Sequence, residues 1–325
     1  MRKFGAIKFF VTFILVLNLS YSNGRVESIK NKKIKNQIVY FQNETTPFTG
    51  EMIGVDRKEE YKNGIKHGMF QGIVKDEDNE KLFYEGRYVN GIKHGTWMIK
   101  YPNKSTKVIL RYNYDKPNGQ WAYFYENQKI ESYENLEDGI LSGKVVNYTQ
   151  GGNLLSQLNY EHGLLNGEAT FFYKTGVLET VTYFKCGKLD GKFKMFSRDG
   201  APFLEGKYRL SKRTGSWNFF YKTGDIKTSV NYKNGYKDGA VVIYDKAGLI
   251  ADKFYFKNGD EINKEGGIIS KRTKFKDAII DRFKKFNRNL KYEKYDRILT
   301  EMEWYNEKEN DISIIFNYKY SSNGF

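Results

Sequence analysis

Side chains able to do acid–base, nucleophilic or metal chemistry are few in this sequence, and poorly placed for it. The three histidines are His67, His94 and His162. His67 and His94 each stand one residue before a glycine in similar strings, a polar turn position. No cluster of ligating residues accompanies them, so no metal site is expected. Cys186 is the sole cysteine. It falls where equivalent strings carry Asn or His, which argues against a nucleophile, and it permits no internal disulfide. The acidic run Asp76-Glu77-Asp78 lacks the spaced ligands and bend glycine of a calcium loop and reads as a solvated loop tip. The glycine-rich strings do not lead from a strand into a helix, so they are not phosphate loops. No catalysis, cofactor or metal is expected.

Contact chemistry is better represented. Trp97, Trp121 and Trp217 share one position of a repeated pattern, and Lys284, Lys285 and Arg288 lie in a basic C-terminal stretch. These six are the candidate partner-binding residues. For the tryptophans two readings stand side by side. They pack the inner face of a sheet, or they form an exposed aromatic stripe.

The elements that must position them follow from a repeat. Gly95, Gly119, Gly143, Gly167, Gly191, Gly215 and Gly239 are spaced 24 residues apart. Gly68 fits the same series if Asp76 to Glu80 carries a three-residue insertion, and Gly50 fits a shortened first unit. Seven residues before each anchor glycine comes a ring or leucine, as in Tyr88, Tyr112, Leu136, Tyr160, Phe184, Tyr208 and Tyr232. Two further glycine columns stand four residues before the anchor (Gly91, Gly139, Gly163, Gly187, Gly235) and nine after it (Gly152, Gly176, Gly200, Gly224, Gly248). Between them residues alternate, as in Trp217, Phe219, Tyr221 and again in Ile226, Val230, Tyr232. Alternation marks strands, and glycine at regular intervals supplies the positive φ of tight turns. Each unit therefore reads as one β-hairpin. An isolated hairpin is marginal in water, whereas stacked hairpins bury one another's rings. The expectation is an all-β repeat, an elongated antiparallel β-meander of stacked hairpins over residues 40–266. Roughly 16 strands at about 4.8 Å spacing would extend near 80 Å.

The strings YKNGIKHG, YVNGIKHGTW and PFTG resemble the MORN-repeat variant of bacterial proteins, including those labelled the YwqK antitoxin family. The resemblance covers about Tyr40 to Gly266. It implies an extended β-meander that binds proteins or lipids.

Composition agrees with strands, since aromatic residues reach 17% and 31 glycines accompany only 4 prolines. Residues 1–22 read as a signal peptide. Arg2, Lys3 and Lys8 precede an apolar run from Phe9 to Leu17, and Ser20-Tyr21-Ser22 offers a cleavage site. The run is too short for the roughly 20 residues of a membrane-spanning helix. Removing it leaves 51 basic against 39 acidic residues. That excess favours acidic proteins, acidic glycans or anionic lipid surfaces, and export disfavours nucleic acid. Residues 23–39 are expected to be a linker. Residues 267–325 are expected to hold a basic amphipathic helix, then a strand near Ile312 to Tyr320. Lys271 to Arg297 carries eleven basic and four acidic residues with apolar ones at helical spacing. That helix would cap the last sheet edge, bind an anionic partner, or both.

The function this supports is an exported, non-catalytic binding scaffold at the cell surface or in the periplasm. The alternative is an immunity-type protein that neutralises a toxin. Oligomeric state is not legible in the sequence.

Overall fold

Alternating inward rings and outward polar residues produce strands throughout the repeat. The structure is a computed structural model that describes residues 25–76, 80–271 and Ile280. The expected signal peptide, Lys284, Lys285, Arg288 and the C-terminal strand lie outside the described residues. Ile280 itself is helical and half-buried against the core.

Among the described residues twenty-four strands join in one sheet, nearly all as consecutive antiparallel hairpins. In a typical unit Lys212–Phe220 pairs with Ile226–Lys233, matching Gly215 to Tyr232 and Trp217 to Val230. Both extra glycine columns occupy turns. At one end Gly224 has φ 94° and its N–H donates to the Tyr221 carbonyl at 3.0 Å. At the other, Asn234 and Gly235 have φ 50° and 89°, the two consecutive positive values of a tight hairpin turn. The Gly235 N–H crosses to the Arg213 carbonyl at 2.9 Å, in the turn of the preceding unit. Gly139, Gly163, Gly187 and Gly259 repeat that bond, so the turns on this edge are stacked by backbone hydrogen bonds. At Gly187, φ is 74° and the N–H reaches the Leu165 carbonyl at 2.8 Å. Gly187→Val is expected to cost at least ~1 kcal/mol through the forced φ, and His94→Ala under ~0.5. Equal shifts of the two urea unfolding midpoints would contradict this.

The anchor glycines do a different job. Gly215 sits inside a strand with φ 67°, opposite a register shift between Glu205 and Lys207 on the preceding strand. The pairing is locally irregular at this point, and residues two before and two after the anchor stay on the inward face, as do Leu189 and Phe193 around Gly191, with 2% and 1% exposure.

The buried face is filled by an aromatic spine. Phe48, Tyr61, Phe70, Tyr88, Trp97, Tyr112 and Trp121 follow one another with ring centroids 4.7–6.4 Å apart. Phe193, Tyr208, Trp217 and Tyr232 continue it in later units. Tyrosine hydroxyls also latch units together. Tyr101, Tyr125, Tyr173 and Tyr221 each donate to a carbonyl 23 residues ahead at 2.7–2.8 Å.

Residues 23–39 are not a plain linker. β1 (Val26–Ser28) pairs in parallel with the strand Gly50–Ile53, and β2 (Lys32–Lys35) pairs with β3 (Ile38–Phe41). This hairpin turns at Asn36-Gln37, both with positive φ, and escapes a search keyed to the glycine period. Its packing is backbone-close, for the Val39 N–H donates to the Gly64 carbonyl at 2.9 Å. The repeat also runs slightly past 266, since Ile268–Ser270 forms a further strand on Asp260–Ile262. The insertion after Gly68 lengthens its hairpin, with pairing continuous out to Lys75 and Lys81. Lys107 holds the acidic residues at its base, 2.6 Å from Glu80 and 3.8 Å from Asp76.

Candidate functional site

The three tryptophans face inward. Trp97, Trp121 and Trp217 are each 0% exposed. Trp97 and Trp121 donate Nε1–H to the carbonyls of Arg87 and Arg111 at 3.3 and 2.9 Å. Trp97 lies directly on Gly86, where an added Cβ would stand 1.9 Å from its ring. They are core residues and offer no surface to a partner, which corrects their place among the candidate contacts. Period-two alternation alone could not say which face of the sheet would be covered.

The histidine position has a structural use that the sequence did not disclose. The Asn90 N–H reaches His67 Nδ1 at 3.3 Å. In other units Asn166, Asp190 and Asp238 accept in the same way from the N–H groups of Cys186, Leu210 and Asn258. In these four units the side chain before the anchor thus caps the next unit's turn. Among the described residues no three His, Cys, Asp or Glu side chains gather as a metal site would require.

Two features could meet a ligand. The first is a cleft of about 380 Å³ between the β2–β3 hairpin and the first repeats. Its lining includes Tyr61, Phe70, Tyr84 and Tyr88, with Lys66 beside them. In its wall Lys32 and Glu59 form a buried ion pair at 2.9 Å, and Tyr61 donates to the same Glu59 oxygen at 2.5 Å. Burial alone would raise the Glu59 carboxyl. The Lys32 ammonium and the two hydrogen bonds outweigh it and hold that carboxyl below its usual range. Burial and the adjacent carboxylate push the Tyr61 hydroxyl well up, so it remains a donor. Lys32 and Tyr61 converge on one Glu59 oxygen, and the buried pair ties the hairpin to the first repeats.

The second feature lies on the turn edge stacked by the glycine N–H groups. On seven consecutive strands the outward residues beside these turns are Lys185, Lys188, Arg209, Lys212, Lys233, Tyr236 and Lys257, all exposed. Lys185 faces Lys188 across its hairpin, and Arg209 faces Lys212. Directly opposed like charges destabilise a sheet. In earlier units the same positions hold Lys62 with Ile65, Val89 with Ile92, Asn113 with Lys116, Glu137 with Ile140, and Glu161 with Leu164, so no earlier hairpin opposes two cations. The nearby Asp190 and Asp238 are engaged by backbone N–H groups. Among the described residues none of the six cations forms an ion pair. The edge can therefore offer its positive charge outward, where an anion would be met by a row of donors.

The basic row was hidden in the sequence. Its members come from strands on either side of each turn, and only hairpin pairing aligns them. A charge count by unit gives a signal, for residues 185–257 carry 16 basic against 7 acidic and residues 119–184 carry 3 against 8. Comparison with protein-family models and with curated proteins finds no match for this chain.

Proposed function

We propose that the protein is an exported, non-catalytic binding scaffold whose activity is contact with an anionic partner outside the cytoplasm. The observation that carries this is the change of outward charge along a uniform array. The inward columns repeat the same kinds of residue from unit to unit. With the buried Glu134 and Arg213 set aside, the charges pass from 3 basic and 7 acidic in residues 119–184 to 15 basic and 7 acidic in residues 185–257. Folding draws on the inward columns and the turn caps, and the outward lysines and arginines of the turn edge are left to serve recognition. Export is supported by the basic start, apolar run and small-residue site within residues 1–22.

The test is to express the full chain in a bacterial host and fractionate the cells. The expected product begins at Asn23, is retained by the cell envelope and is released by about 1 M salt, where the screening length falls to about 3 Å. A chain that keeps Met1 and stays in the cytosolic fraction would overturn the reading.

A further inference from the structure

We infer that the cationic turn edge from Lys185 to Lys257 is a binding site for a linear acidic polysaccharide, laid across the strands along the stacking direction. The inference rests on the scaffold reading and names its ligand class.

Geometry favours a chain over a surface. Six cations occupy a single row on seven consecutive strands, interrupted once by Tyr236. At a strand spacing of about 4.8 Å the row is roughly 30 Å long, with equivalent residues about 9.6 Å apart. Two sugar rings of an extended chain span a similar distance. A polymer with one carboxylate or sulfate on each ring pair or each ring thus meets a cation in every hairpin. The next outward row is mostly uncharged. After the opposed Lys192 and Lys207 it continues as Ser216 with Asn231 and Ala240 with Tyr255. A membrane would need breadth that this row lacks.

Composition of the row points the same way. Tyr236, 44% exposed, presents a ring on which a sugar can stack between flanking lysines. Beyond Lys185 the same edge continues to Glu161 and Glu137, which repel a polyanion and mark the end of the site. The turn stacking bonds hold the row rigid, so little side-chain order beyond the lysines themselves must be gained on binding.

The probe is polygalacturonate as a hexamer, titrated calorimetrically into the chain starting at Asn23 in low salt. Monomeric galacturonate and vesicles containing phosphatidylglycerol serve as comparisons. The hexamer is expected to bind with an affinity that falls steeply with salt, and the monomer is expected not to bind measurably. Lys188→Gln, Lys212→Gln and Lys233→Gln together should weaken hexamer binding at least tenfold. The unfolding midpoint should stay level or rise, because opposed like charges are relieved. The matched triple Lys174→Gln, Lys222→Gln and Lys246→Gln, on the opposite turn edge, should bind as the unaltered chain does. An equal loss in both triples would reduce the effect to net charge and overturn the site. Vesicle binding without hexamer binding would overturn the ligand class. In either case, salt-releasable retention on the envelope would leave the scaffold reading standing.

Discussion

Trp97→Ala is expected to destabilise the folded chain by about 3–5 kcal/mol, the range for removing a fully buried large aromatic side chain. The ring is 0% exposed and packs edge-on to Tyr88 at 5.1 Å and Tyr112 at 6.4 Å. It also lies on the bare backbone of Gly86 and leaves no room there for a Cβ. Losing it opens a cavity between two units of a quasi-one-dimensional array, where each unit's stability depends on its neighbours. Gly86→Ala should have the same sign for the opposite reason, since its methyl group would stand 1.9 Å from the ring. Urea unfolding followed by indole fluorescence measures both. A Trp97→Ala chain with an unchanged midpoint would mean that the ring is not core.

The second large effect is expected at the buried ion pair. Glu59→Gln leaves the Lys32 ammonium, 6% exposed, without its counter-charge, at a cost of about 3–5 kcal/mol. Adding Lys32→Met should recover most of the loss, because the uncompensated charge is then gone. The pH dependence follows from the same geometry. Glu59 has a folded pKa below its unfolded value, so its contribution is complete above about pH 4.3 and disappears as pH falls through the folded value. Lys32 behaves differently. Burial lowers its pKa and Glu59 only partly offsets this, so the penalty on its charge lifts as pH rises through the folded value. Unfolding midpoints of the three chains between pH 3 and 7 test the Glu59 statement, and midpoints followed from pH 7 upward test the Lys32 one. If Glu59→Gln follows the unaltered chain at neutral pH, the pair does not anchor the hairpin.

Both effects concern the inward face, and the cationic edge is outward. The division matters for reading any later variant. Substitutions on the spine or at the anchor glycines should act through stability, whereas those at Lys188, Lys212 or Lys233 should leave folding intact and act on binding alone.

The residues by themselves determined the hairpin period, the all-β class and the positions of both sets of turns. These are local properties. Glycine is needed wherever φ is positive, and alternation follows from the pleat whatever the chain packs against. The anchor glycine's place inside a strand, at an irregular pairing, was not legible, because it depends on a register shift in the facing strand. Nor was the inward placement of Trp97, Trp121 and Trp217, since two faces of a strand are equivalent until something covers one of them. The β2–β3 hairpin lacks the period, and its Lys32 finds Glu59 only in three dimensions, 27 residues further along the chain. Lys185, Lys188, Arg209, Lys212, Lys233 and Lys257 are scattered among other charges in the sequence. Antiparallel pairing across each turn, and the stacking of turn on turn, is what sets them in one row.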